Sequence, residues 1–329
     1  MRILITGGAG FIGKRLADQL LRDGAFSLQG LEPQTIDKII LFDNVERENA
    51  PQDPRVESIT GDINDARIIR KVTQNIDLAW HLAAIVSAAA EADFDLGMNV
   101  NLDGLLTLLN ALRDLKSRPR LVFASGFAVF GGNLPDVVTD FTALTPQSSY
   151  GTQKAIGELL VADYSRRGFV DGRAVRLPTI TVRPGKPNKA ASSFVSSIIR
   201  EPLAGKPAVC PVRGSTKVYV SSPRRAVESM LLAMQLSEAT IGSGRTIPLP
   251  GITASVEDMV ATLERIGGIG ATKLIAWEPD SEIQRIVDSW PTCVDDARAR
   301  ALGFHADADF EAIIRSHIED ELSRTTRSR

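Results

Sequence analysis

Residues 2–13 read RILITGGAGFIG. An apolar run, Ile3, Leu4 and Ile5, leads straight into Gly7, Gly10 and Gly13, and an amphipathic segment from Phe11 to Asp23 follows at once. This order of strand, glycine turn and helix suits a nucleotide phosphate. One glycine permits the tight turn, another lets the backbone approach a pyrophosphate with no Cβ in the way, and the last lets helix and strand pack closely. The helix start, with Phe11 and Ile12 in its first turn, adds free N–H groups and the positive end of a dipole. Glycine turns also occur between strands and helices that bind nothing, so the next strand matters. Lys38 to Phe42 is apolar and ends at Asp43. A carboxylate there accepts hydrogen bonds from an adenosine ribose and repels a 2′-phosphate, which favours NAD over NADP. Asp43 is equally a turn former by type. With the glycine pattern before it, the dinucleotide reading prevails.

Further along, strand and helix keep alternating. A strand to Thr60 meets the turn Gly61-Asp62, followed by Ile63 and a helix expected over Asn64 to Gln74. Asp62 either accepts from an adenine amino group or caps that helix. Asp77 to Leu82 reads as a buried strand ending in Ala83 and Ala84, whose small side chains leave room for a cofactor at the strand ends. His81, inside it, reads as a core histidine. One long helix is expected from about Glu91 to Arg113, interrupted by Asn101 and Gly104, then a strand from Arg120 to Ala124 that delivers Ser125 and Gly126. The pattern predicts an α/β fold, a Rossmann-like doubly wound parallel sheet with a smaller C-terminal substrate-binding lobe. Residues 1–178 form the NAD-binding domain in this reading. Residues 179–329 are mainly the substrate-binding lobe, and a strand within Gly244 to Pro250 returns to the sheet.

Composition narrows the function. The chain has 329 residues, 38 basic and 40 acidic, for a formal net charge of −2. No global field recruits nucleic acid or an anionic membrane. No apolar stretch approaches the ~20 residues needed to span a bilayer, and the chain opens on a strand, so a cytoplasmic protein is expected. The two cysteines, Cys210 and Cys293, and the three histidines show no metal-ligand spacing, so no metal is expected.

The chemistry is expected at Tyr150 and Lys154, four residues apart behind Ser148 and Ser149, either of which can start a helix. That spacing is just over one helical turn and puts phenol and ammonium on one face. An unperturbed tyrosine titrates near ~10, and a neighbouring cation lowers that value and stabilises the phenolate. By itself the pair is a common exposed i,i+4 arrangement. Its weight comes from what precedes it.

Taken together, TGGAGFIG, Asp43, Gly61-Asp62, His81-Leu82-Ala83-Ala84, Asn101 with Gly104, Val129-Phe130-Gly131 and Tyr150 with Lys154 resemble the extended short-chain dehydrogenase/reductase family, also called NAD-dependent epimerase/dehydratases. The resemblance covers nearly the whole chain. It implies NAD held by Gly7, Gly10, Phe11, Ile12, Gly13, Asp43, Asp62, Ile63, Leu82, Ala83, Ala84, Asn101, Tyr150, Lys154 and a nicotinamide-flanking turn at Pro178 and Thr179. Within the family, LAAIVSAAAEADFDLGMNVNLDG, SYGTQKAIGELLVADYSRRGFVDG and RLPTITVRPGKPNKAASSF resemble a subgroup that oxidises the C2 hydroxyl of D-erythronate, a four-carbon sugar acid. A small-molecule sugar acid is therefore the expected partner, with a homodimer formed through the helices carrying Asn101 and Tyr150.

One position departs from the family. Its catalytic serine or threonine lies five residues before the glycine that Gly131 matches, and Gly126 stands there. Ser125 is the nearest hydroxyl. Adjacent strand residues point to opposite faces, so Ser125 takes the role only if the chain bends at Gly126. Substrate contacts are expected from Ser87, Ser125 and Tyr150, and from Arg183, Asn188 and Lys189 on a proline-stiffened basic loop suited to a carboxylate. Two other readings stay open: a nucleotide-sugar epimerase or dehydratase that recycles NAD, and a non-catalytic NAD-binding regulator.

Overall fold

A computed structural model describes residues 1–47, 51–185 and 191–322. Two compact units emerge. The first comprises the described residues of 1–126, 148–176 and 227–248, and the second those of 127–147, 177–226 and 249–322.

The first unit is built on a seven-stranded parallel sheet: β1 (Arg2–Thr6), β2 (Lys38–Asp43), β3 (Val56–Thr60), β4 (Leu78–His81), β5 (Arg120–Gly126), β6 (Asp171–Leu177) and β7 (Thr246–Pro248). Their order is β7-β6-β5-β4-β1-β2-β3. The chain steps outward from β1 in one direction to β3, then returns to β4 and steps the other way. The two halves meet between β1 and β4, where Thr6 lies beside His81. Such a reversal opens a crevice at the carboxyl ends of the strands, where α/β sheets bind ligands. This is the doubly wound sheet expected from the sequence. Thr246–Pro248 does run beside β6, with Ile247 opposite Val175.

Helix α1 (Phe11–Asp23) buries Leu16, Ala17 and Leu20 and ends on Gly24, whose φ of 69° no branched side chain tolerates well. Helix α2 (Ala66–Val72) is capped by Asp65, whose carboxylate accepts from the Arg67 and Ile68 amides. Asp62 does not make that cap; it accepts from the Asn64 N–H at 2.9 Å, forming a local turn instead. The long helix expected up to Arg113 is also divided. Helices Ser87–Ala92 and Phe94–Met98 are separated by Asp93, extended at φ −134°, and a π-helical turn, Asn99–Asp103, precedes α3 (Gly104–Asp114). Asp93 starts the second piece by accepting from the Leu96 N–H. Apolar spacing is nearly the same along either path, so the break is visible only through such caps.

Helix α4 (Ser149–Arg166) begins at Ser148, whose hydroxyl accepts from the Gly151 amide at 3.1 Å. A Cβ at Gly157 would sit 2.7 Å from the Phe123 ring, so this glycine lets α4 lie directly on β5. At the opposite ends of the strands, the buried carboxylate of Asp171 binds Arg120, Arg173 and Arg245. Two of these arginines also close the end of α5 (Pro223–Gln235): Arg120 donates to the Met234 carbonyl and Arg173 to those of Ala233 and Leu236.

The second unit has its own core, including Phe194, Ile198, Val218, Val220, Met259, Phe310 and Ile314. Strands Thr179–Ile180, Lys217–Ser221 and Ile252–Ser255 form a three-stranded sheet there. Among the described residues no helix is long and apolar enough to cross a membrane, and no group of His, Cys, Asp and Glu could hold a metal ion.

Candidate active site

The glycine loop sits at the carboxyl end of β1. Gly7 has φ +72°, and a Cβ on it would meet the Leu82–Ala83 peptide at 2.7 Å. A Cβ on Gly13 would lie 2.4 Å from the Gly7 carbonyl oxygen. The Gly10 N–H donates to that same carbonyl at 3.0 Å, closing the turn. Helix α1 starts at Phe11 with no side-chain cap and no acidic residue in its first turn. Its first N–H groups, those of Phe11 and Ile12 among them, present a positive dipole end. These features fit a dinucleotide pyrophosphate. Replacing Gly13 by alanine is expected to strain this loop by about 1–3 kcal/mol. Calorimetry should then show NAD binding weakened by roughly 10- to 100-fold.

Asp43 ends β2, where both carboxylate oxygens are engaged: Oδ2 accepts from the Ala9 N–H at 2.9 Å and Oδ1 from the Asn44 N–H at 2.8 Å. Ile63 is buried against Gly104, where a Cβ would meet its Cγ2 at 2.6 Å. Leu82, Ala83 and Ala84 follow β4, each partly exposed beside Gly7. Asn101 is 3 % exposed. Its amide bonds both backbone groups of Ile85 and donates to the Gln153 side chain at 2.7 Å. It therefore anchors the chain leaving β4 to the helix that carries Lys154. Ser87 stands at the start of the next short helix, half-buried.

Tyr150 and Lys154 project from α4 as the spacing predicts. The Lys154 ammonium is buried, 5.5 Å from the centre of the Tyr150 ring and 4.7 Å from that of Phe123, and it donates to the Ala124 carbonyl at 2.8 Å. Burial lowers its pKa to about 8, against the opposing pull of the Glu158 charge. His81, with Nδ1 2.7 Å from the Thr6 hydroxyl, is also fully buried. Desolvation and the nearby Lys154 charge lower it to about 3, so it stays neutral at any physiological pH. Its Nε2 is buried without a partner among the described residues.

Ser125 lies near the end of β5, which runs to Gly126. Its hydroxyl donates to Glu158 Oε1 at 2.6 Å, and the residue is 3 % exposed. Glu158 and its partner Arg176 escaped the sequence reading. Glu158 is one further turn along the face of Tyr150 and Lys154, and a charged residue there was the available signal.

Pro178, Thr179 and Arg183 belong to the second unit. Thr179 pairs with Val220 in the three-stranded sheet. The Arg183 guanidinium lies 3.4 Å from the Ser192 carbonyl and hydroxyl oxygens, and its own carbonyl accepts from Arg200. Asn188 and Lys189 lie outside the described residues.

The chain is similar to known proteins along nearly its whole length. The NAD dependent epimerase/dehydratase family matches residues 3–238. The chain is 50 % identical over 324 residues to the D-erythronate dehydrogenase of Cupriavidus necator, covering 97 % of this chain and 98 % of that protein. It is 45 % identical to the D-erythronate dehydrogenase of Haemophilus influenzae, over 98 % of this chain and all (100 %) of the relative. A crystal structure described as the nucleoside-diphosphate-sugar epimerase from Agrobacterium tumefaciens superposes with a TM-score of 0.92 at 43 % identity, over 98 % of this chain and 95 % of the other. The chain belongs to the NAD dependent epimerase/dehydratase family, and its cofactor is NAD.

Proposed function

We propose that the protein is an NAD-dependent D-erythronate dehydrogenase, which oxidises the C2 hydroxyl of D-erythronate to 2-oxo-tetronate. The substrate rests on the names of the two full-length relatives. The reaction type rests on one observation, the buried Lys154 ammonium held beside the Tyr150 ring.

Gly7, Gly10, Gly13 and the amides of Phe11 and Ile12 would hold the pyrophosphate. Asp43 would take the adenosine ribose, Asp62 and Ile63 the adenine. Leu82, Ala83, Ala84, Pro178 and Thr179 would flank the rest of the cofactor, and Asn101 would set their geometry through Ile85. Bound NAD⁺ supplies the hydride acceptor. Tyr150, as phenolate, takes the proton of the C2 hydroxyl. Lys154 would stabilise that phenolate and hydrogen-bond the nicotinamide ribose. Ser87 and Arg183, with Asn188 and Lys189, would bind the substrate polar groups, Arg183 offering a fork to the carboxylate. Ser125 supports the site through Glu158 rather than by touching substrate. The protein would act in the cytoplasm as a homodimer.

The test is NADH formation from NAD⁺ and D-erythronate, with D-threonate, L-threonate and NADP⁺ as controls. Turnover of D-erythronate with NAD⁺ alone is expected. Epimerisation of a nucleotide sugar without net NADH would replace this reading with the one suggested by the Agrobacterium structure's description.

A further inference from the structure

Glu158 is 3 % exposed, and its carboxylate takes two bonds from Arg176: Nε to Oε1 at 3.0 Å and Nη2 to Oε2 at 2.7 Å. Removing both ions from water is unfavourable, and apolar residues of the same volume often serve stability as well or better. The pair calls for a reason beyond packing. Its placement gives one. Helix α4 grips the end of β5 at two consecutive residues, Lys154 at the Ala124 carbonyl and Glu158 at the Ser125 hydroxyl. Arg176, on the neighbouring strand β6, fixes the second grip from behind.

We propose that Glu158, anchored by Arg176, is a positioning residue that keeps the buried Lys154 charged and in register with the end of β5 for the Tyr150 chemistry. The proposal rests on the reading of Tyr150 and Lys154 given above. Lys154 faces Tyr150 and Glu158 on its own helix and His81 from β4, and Arg176 acts on it through Glu158. His81 is neutral, so Glu158 supplies the opposing negative charge. Glu91, Asp95 and Asp103, on the segments packed against α4, are exposed. Lys154 carries its proton below a pH of about 8 and loses it above. Without Glu158 that upper edge moves to lower pH, and the phenolate loses its support within the working range.

The test uses the full chain with 13Cε-labelled lysine, the Lys154 resonance being identified by its loss in Lys154→Arg. In Glu158→Gln the Lys154 midpoint is expected to fall by about one pH unit or more, a tenfold change in its proton affinity. With the midpoint moving from about 8 to about 7, the charged fraction at pH 7 falls from about nine-tenths to one half, so turnover of D-erythronate should fall about twofold there and nearly tenfold at pH 9, more in kcat than in KM. Glu158→Asp should recover part of both. Glu158→Gln with Arg176→Met removes the unpaired cation and carries the same readouts if the single variant does not fold; its midpoint should remain below that of the unaltered protein. An unmoved midpoint, or full activity in the double variant, would overturn the proposal and leave the pair a structural one. A protein that does not oxidise D-erythronate would refute the functional reading, while the resonance still reports on the hold of Glu158 over Lys154.

Discussion

Turnover by Tyr150→Phe is expected to fall by about 100- to 10,000-fold, the usual contribution of a positioned general base, while NAD binding stays within a few-fold of the original. The substitution removes one oxygen and leaves the ring that lies 5.5 Å from the Lys154 ammonium. Neither the glycine loop nor Asp43 is touched, because they sit at the ends of β1 and β2 while Tyr150 belongs to α4. The measurement is single-turnover NADH formation alongside calorimetric NAD titration. Retained turnover would remove Tyr150 from the role of base. Lost NAD binding would show instead that the phenol is part of the cofactor cradle.

The second large effect lies at the far ends of the strands. Replacing Asp171 by asparagine should destabilise the protein by about 3–5 kcal/mol, because it leaves buried guanidinium groups without their carboxylate. Arg173 is wholly buried, and desolvation, only partly opposed by Asp171, already lowers its pKa to about 10. Burial raises the Asp171 pKa, but the charges and hydrogen bonds of Arg173 and Arg120 outweigh it and hold the carboxyl below its ordinary range. A depressed carboxylate contributes stability above its unfolded pKa of about 4 and loses it as pH falls through the folded value. The variant should therefore show a lower urea midpoint at pH 7 and a shallower loss of stability below pH 4. An unchanged midpoint would mean that Arg120 and Arg173 are satisfied by the carbonyls at the end of α5, and Arg245 by Glu238, without Asp171.

The first half of the sheet was legible because it is local. RILITGGAGFIG carries strand, turn and helix within a dozen residues, and Asp43 is marked by the apolar strand before it. The Tyr150–Lys154 face was legible for the same reason: a helix repeats every 3.6 residues wherever it lies. The interruption at Asn101 and Gly104 falls at the π-helical turn, but the break at Asp93 was not legible, since a single extended residue leaves the apolar residues on either side near their helical spacing. Nor was the partner of Ser125. It is 33 residues away on another element, and only the fold brings them together. The clue for Arg173 and Arg176 lay in RAVRL, where two arginines three apart on a strand face opposite sides of a buried sheet. One meets Asp171 and the end of α5, the other Glu158.

Asp43 links selectivity to architecture. Its carboxylate fastens the glycine loop at Ala9 and the chain reversal at Asn44, and its backbone carbonyl accepts from Gly61. A lineage drifting toward a phosphorylated cofactor could not simply exchange this residue for a small or basic one. The Ala9 amide would lose its acceptor, and the pyrophosphate cradle would loosen in the same step. Retargeting the enzyme by engineering would accordingly begin with a loop stable without Asp43 and admit the new charge afterwards.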